Sequence, residues 1–190
     1  QILVTGFGPF GRFAQNISYE GLAPLDGKQL DGYVITVAEL PVAWEESKEI
    51  LQEAVKELAP NAVLLTGIDA HASSSIVIEA RGINRVVRAS DIHGNLPPDR
   101  KIIPGGSKYL HTQADTGAVK ASLQEEGIDT EISSNPGGYL CGWIYYHALS
   151  AWENIPVLFV HIPPDIHPPL LREAASIILQ EMIAGEKEIP

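Results

Sequence analysis

Short runs rich in Val, Ile and Leu recur along this chain, separated by longer segments with helical spacing. That alternation constrains the fold most tightly. Strands joined through intervening helices run parallel and need a helical layer on each face. Strands are expected at residues 2–5, 33–40 (with Val42 leading out), 62–66 (stopped by Gly67), 131–133 and 157–162. Residues 76–87 read as a strand pair or one bent strand, with Glu79 and Arg81 breaking an apolar setting. Helical spacing marks residues 43–58, 116–126, 139–152 and 168–183. Residues 91–108 are rich in Gly, Pro and His without a period, as in a long functional loop. The expectation is a single three-layer α/β/α domain over residues 1–190, with a mostly parallel central sheet. In such sheets, functional groups gather where strands end.

The first strand runs into Gly6-Phe7-Gly8-Pro9-Phe10-Gly11, which spells the G-x-G-x-x-G of a dinucleotide loop. Such a loop needs free backbone N–H groups and a helix N-terminus aimed at phosphate. Pro9 removes one N–H, and the segment after Gly11 is a weak helix former with Asn, Ser, two Gly and a Pro. Glu39 could serve as the ribose acid, which keeps a nucleotide reading open. A tight turn presenting Phe7 and Phe10 to a small, flat, uncharged ligand suits the residues better.

The formal net charge of −11 repels polyanions, so nucleic acid and anionic membranes are poor partners. No apolar run is long enough to span a bilayer. A single cysteine allows no disulfide within the chain, and no signal peptide is read, so a cytoplasmic location is the default expectation. The sequon Asn16-Ile17-Ser18 is therefore not expected to carry glycan.

Cys141 follows Pro136-Gly137-Gly138-Tyr139-Leu140, so it should lie in the first turn of the helix at 139–152. A helix N-terminus favours thiolate, the nucleophilic form, and its spare N–H groups can hold an oxyanion. The alternative is a small buried apolar residue. Of six histidines, His161 stands apart, because it sits at the exit of the strand VLFV before Ile162-Pro163-Pro164. There an imidazole could take the thiol proton and return it to a leaving amine. It could equally be a core histidine bonded to a carbonyl. His71, His93, His111, His147 and His167 read mostly as solvated. Glu79 is expensive to bury unpaired. Its partner is either His161 or a structural arginine, Arg81 or Arg88, and Asp165 is the rival carboxylate for His161. His161, Asp165 and His167 lack metal-ligand spacing, and no metal or cofactor is expected. The serines at 73–75 lack a nucleophile elbow.

Four segments together resemble the pyrrolidone carboxyl peptidase (pyroglutamyl peptidase I) family. They are Thr5-Gly6-Phe7-Gly8-Pro9-Phe10-Gly11 with Asn16-Ile17-Ser18, the span from Glu79 to Asn84, Gly137-Gly138-Tyr139-Leu140-Cys141, and Phe159-Val160-His161-Ile162-Pro163. The order Glu, Cys, His matches as well. The resemblance implies a phosphorylase/hydrolase-like fold, often assembled as a homotetramer, and a cysteine exopeptidase that removes N-terminal pyroglutamate from peptides. It implies Cys141 as nucleophile, His161 as base and acid, and Glu79 as its orienting group. Phe7, Phe10, Tyr139 and Leu140 would line the lactam slot, with Asn16 and Arg88 as further substrate contacts.

Departures from the family pattern concentrate around the substrate. Asp69-Ala70-His71-Ala72-Ser73-Ser74 has no glycine or arginine where the family has both, Ile17 replaces a proline, and Arg88 is off the family spacing by about one residue. Two other readings remain open from the sequence. One is a nucleoside phosphorylase or hydrolase on a similar fold, which would work without Cys141. The other is an idle module that binds pyroglutamyl ends without cleaving them.

Overall fold

The computed structural model describes residues 1–68 and 74–184. The stretch at 69–74 that departs from the family pattern, with His71 and Ser73, falls outside the described residues except for Ser74.

The elements are β1 (Ile2–Phe7), α1 (Ile17–Glu20), a 3-10 turn (Ala23–Leu25), β2 (Gln29–Leu30), β3 (Tyr33–Leu40), α2 (Trp44–Leu58), β4 (Ala62–Ile68), β5 (Ile76–Glu79), β6 (Arg81–Ile83), β7 (Tyr109–His111), α3 (Thr116–Glu125), β8 (Thr130–Ser133), α4 (Leu140–Ala151), β9 (Val157–Ile162) and α5 (Pro168–Ala184). Seven strands form one sheet in the order β2-β3-β1-β4-β9-β5-β8. It is mostly parallel as expected, with β2 antiparallel to β3 and β5 antiparallel to β9.

Side chains alternate between the two faces of a strand, so the parity of a residue decides which layer it meets. On one face Ile2, Val4, Leu64, Ile78, Leu158 and Val160 pack under α3 and α5, against Val119, Leu123, Ile178 and Leu179. On the other, Leu3, Phe7, Val63, Leu65, Val157 and Phe159 pack under α2 and α4, against Trp44, Leu51, Trp143 and Ile144. Every residue of β1 and of β9 is buried, which is why those strands read as continuous apolar runs rather than alternating ones.

An aromatic contact locks α4 to α2. Trp143 meets Trp44 edge to face at 5.5 Å, and its indole N–H donates to the Trp44 carbonyl at 2.9 Å. Such a pair adds about 1 kcal/mol beyond the area it buries. Asp91 reaches from the long loop to accept from the Trp44 amide, capping α2 across 47 residues.

Three expectations need revision. The strand expected to stop at Thr66 runs on through Gly67 to Ile68, because β9 stays paired with it there, Gly67 with His161 and Ile68 with Ile162. The segment at 76–87 splits: β5 stays in the main sheet while β6 leaves it to pair with β7, a strand that its three residues were too short to signal. His147 is not solvated. Its ring lies 4.5 Å from that of Trp143, and burial, helped by the positive charge of Lys48 and opposed by Glu45, pulls its pKa down to about 4.

Candidate functional site

The turn after β1 is not a phosphate cradle. Gly8 donates to the Leu40 carbonyl, and Phe10 and Phe13 exchange backbone hydrogen bonds with each other. The helix that follows has four residues, too short to focus a dipole on an anion. Gly6 is needed for close approach, since a Cβ there would lie 2.1 Å from the Ser18 carbonyl oxygen. Asn16 is 1% exposed and braces the turn. Its Nδ2 donates to the Gly8 carbonyl at 2.9 Å, and its Oδ1 accepts from the Ser18 amide and hydroxyl. The Ser18 hydroxyl in turn accepts from the Phe7 amide at 3.0 Å. The Asn-x-Ser signal therefore serves turn geometry and holds the backbone at Phe7 and Gly8.

Parity places the reactive groups. His161 shares its face with Val157 and Phe159, the face under α4. On the antiparallel neighbour β5, Val77 pairs with His161 and Glu79 with Phe159, so Glu79 rises on the same face as the imidazole. The result is a bond between Glu79 Oε1 and His161 Nδ1 at 2.9 Å, with the two residues 2% and 9% exposed. Glu79 Oε2 makes no hydrogen bond among the described residues, so the imidazole is what compensates the buried carboxylate. Arg81 does not pair with Glu79. It bonds the Ser134 carbonyl and lies over the Tyr109 ring.

Cys141 is the second residue of α4, as its glycine-rich approach indicated, and is partly exposed. Gly137 has φ +80°, a left-handed turn that suits glycine, and it folds the approach back over the helix. A Cβ on Gly142 would lie 2.3 Å from the Gly137 carbonyl oxygen. The N-cap residue Tyr139 makes no side-chain cap bond, whereas α1 and α3 are capped by Asn16 and Asp115. The first-turn amides of α4 thus lack a side-chain acceptor at their own cap and are available to an oxyanion beside the Cys141 sulfur.

Cys141 lies close enough to His161 to act on its charge, and with Nδ1 held by Glu79, Nε2 is the ring nitrogen left for proton exchange. Burial opposes charge on the ring. The negative charge and hydrogen bond of Cys141, followed by those of Glu79, outweigh it and raise the His161 pKa to about 10. This arrangement favours the imidazolium form of His161.

Gly67 was read from the sequence only as a strand stop, and it proves to be part of the site. It pairs with His161 in the parallel register of β4 and β9. A Cβ there would lie 2.9 Å from Cys141 Sγ and 3.0 Å from Phe159 Cζ. Gly67→Ala should displace the sulfur and lower kcat/KM by about 10²-fold, the scale of a misplaced reacting group. Alkylation of Cys141 by iodoacetamide should slow in parallel. Unchanged alkylation and turnover would show that the sulfur has room the geometry denies it.

The cavity around Cys141 has a volume of about 570 Å³. Phe7, Phe10, Asn16, Tyr139 and Leu140, the residues singled out in the sequence, are among those that line it. Val42, Ile68, Arg85 and Asn135 line it too and were not anticipated. Arg88 is exposed and does not line the cavity. The backbone beyond β6 is irregular, anchored by Val87 donating to the Gly138 carbonyl, so spacing from Glu79 does not carry over. Among the described residues no His, Cys, Asp and Glu cluster suits a metal, and no helix is long and apolar enough to cross a membrane.

The family model described as pyroglutamyl peptidase matches residues 1–185. A pyrrolidone-carboxylate peptidase of Escherichia fergusonii is 32% identical over 166 residues, covering 85% of this chain and 77% of that protein. One from Pyrococcus furiosus is 31% identical over 168 residues, covering 86% and 80%. The crystal structure of pyroglutamyl peptidase I from Bacillus amyloliquefaciens superposes with a TM-score of 0.89 at 25% identity, covering 95% of this chain and 93% of that one. The pyrrolidone carboxyl peptidase from Thermococcus litoralis shares the fold with a TM-score of 0.91 at 22% identity, covering 100% and 98%.

Proposed function

The chain belongs to the pyroglutamyl peptidase family, a family of cysteine peptidases, and from that premise we propose that Cys141, His161 and Glu79 hydrolyse the amide bond after an N-terminal pyroglutamyl residue. The observation that carries the assignment is the buried Glu79–His161 bond beside Cys141 at an open helix N-terminus.

The Cys141 thiolate attacks the pyroglutamyl carbonyl carbon, forming a C–S bond. The carbonyl electron pair moves onto oxygen, where the first-turn amides of α4 stabilise it. Collapse breaks the C–N bond as the His161 imidazolium gives its proton to the leaving nitrogen. His161, now neutral, takes a proton from water. The hydroxide equivalent attacks the thioester, and pyroglutamate leaves with the thiolate restored. Glu79 keeps the proton on Nδ1, so Nε2 is the atom that exchanges protons throughout.

Phe7, Phe10, Val42, Ile68, Tyr139 and Leu140 give the cavity an apolar wall for the uncharged lactam ring. A free N-terminal Glu, Gln or Pro carries an ammonium that would lose its hydration against that wall. Initial rates on arylamides test this. Pyroglutamyl arylamide should be cleaved at least about 10²-fold faster than the glutaminyl and prolyl arylamides, the discrimination expected when a charge must be buried unpaired. No release from the pyroglutamyl substrate between about pH 6 and 9, where thiolate and imidazole chemistry operates, would overturn the assignment. We further propose that the chain acts as one peptidase domain within a cytoplasmic homo-oligomer. The continuous seven-stranded sheet and a family match over residues 1–185 support the single domain.

A further inference from the structure

We propose that Arg85, held by Asn135, recognises a carboxylate on the residue immediately after pyroglutamate, making it a specificity-determining residue on the leaving-group side. This rests on the peptidase reading above and extends it to the other half of the substrate.

The order of strands divides the cavity. Its lining comes from the ends of β1 and β4 and from Val42 just beyond β3 on one side, and from β5, β8 and the segments that follow β6 and β8 on the other. β9 with His161 lies between them, and Cys141 stands over it. The first side supplies Phe7, Phe10, Val42 and Ile68, which suit an uncharged ring. The second sets the polar Ser133, Asn135 and the cationic Arg85 beside Val77, Val87 and Pro136. A substrate with its ring against the first wall and its scissile carbonyl at Cys141 sends its leaving residue toward the second.

Arg85 is exposed at that mouth, and among the described residues it takes part in no ion pair. Its Nη2 donates to Asn135 Oδ1 at 3.1 Å. Asn135 is steadied by its own amide, which donates to the Ser133 hydroxyl at 3.0 Å. A neutral amide orients the guanidinium without discharging it, and a guanidinium has further N–H donors for a planar, bidentate acceptor. A cation left uncompensated at the mouth of a cavity, in a chain of net charge −11, marks where an anionic group is wanted. The fitting acceptor is a carboxylate, from either the free C-terminus of a dipeptide or an acidic side chain.

Two substrate pairs separate these sources: pyroglutamyl-alanine against its amide, and pyroglutamyl-aspartic amide against pyroglutamyl-asparagine amide. In the wild-type enzyme the charged member of at least one pair should have a kcat/KM about fivefold higher, as for a partly exposed charge-assisted contact. The gain should sit in KM and shrink as salt is raised from about 0.05 to 0.5 M. Arg85→Gln should bring the ratio to about one, and Arg85→Lys should retain part of it, since a lysine keeps the charge and loses the fork. Arg88→Gln, a nearby cation off the cavity wall, should leave the ratio at its wild-type value. Ratios of one for both pairs in the wild type, or a preference that survives Arg85→Gln, would overturn the proposal. A wild type that cleaves none of the four substrates would instead overturn the peptidase reading on which it rests.

Discussion

Cys141→Ala removes turnover of a pyroglutamyl arylamide, lowering kcat/KM by at least about 10³-fold. The Cys141 sulfur is the thiol beside His161 in the cavity, and two independent features favour its reaction. One is the helix N-terminus of α4, whose dipole favours negative charge in its first turn. The other is His161, drawn toward the imidazolium by Cys141 and Glu79 despite its burial. Cys141→Ser tests the second feature separately. An alkoxide is far harder to form than a thiolate, so the serine variant should recover little of the rate even with the same geometry. Circular dichroism melts should show both variants folded, because Cys141 is partly exposed and sits at a helix end rather than within a core layer. Full activity in Cys141→Ala would show that the thiol has no chemical part in turnover. Binding of pyroglutamyl ends by a wild type that does not cleave them would point to the idle module.

Glu79→Gln should lower kcat/KM by about 10²-fold or more and move the alkaline limb of the pH profile toward neutrality. Glutamine can still present an oxygen to Nδ1, but it has no charge to hold the imidazolium and can flip to present N–H₂ instead. The sign follows from the protonation states. His161 is raised from an ordinary value near 6.5 to about 10, so the wild-type imidazolium persists through the neutral range and is lost only as the pH approaches 10. Removing the Glu79 charge takes away part of that elevation, so deprotonation and loss of the general acid come at lower pH. The same shift acts on stability. Protonation of His161 stabilises the fold fully below about pH 6.5, and that contribution is lost as pH rises toward the folded-state value. Thermal melts of Glu79→Gln should therefore depend less on pH than wild type between about 6.5 and 10. An alkaline limb that stays in place would show that the Glu79 charge does not hold the imidazolium; Asp165, the rival carboxylate, is exposed and lines a separate cavity.

Much of this site was legible before any coordinates. Cys141 follows Pro136-Gly137-Gly138, residues that stop one element and admit the start of another, and the apolar run after them has helical spacing. His161 ends a buried strand, and Glu79 is a carboxylate among apolar neighbours, which demands a partner. Those signals are local, and local chemistry sufficed. The arginine shows the opposite case. Arg85 and Arg88 lie three residues apart in an irregular stretch, where no period says which one faces inward. The contact between Val87 and the Gly138 backbone decides it, and that contact spans 51 residues. Gly67 and Gly142 escaped notice for a related reason. A glycine needed for space looks in sequence like a glycine needed for a turn, and only the atoms a Cβ would meet tell them apart.

What the sequence by itself determined was the alternation of strand and helix, and with it the layered fold and the end of the sheet where a site could lie. It also determined the chemical types available there: one thiol, a strand-end imidazole and a carboxylate too costly to leave unpaired. The tertiary structure alone decided that these three meet. Glu79 and His161 are 82 residues apart, and they touch because β5 runs antiparallel to β9 in a register that pairs Glu79 with Phe159. A slip of one residue would turn Glu79 to the opposite face, under α3 and α5, and leave the imidazole without its partner. Periodicity settles which residues share a face of one strand, but the register between strands is set by the packing of the whole sheet.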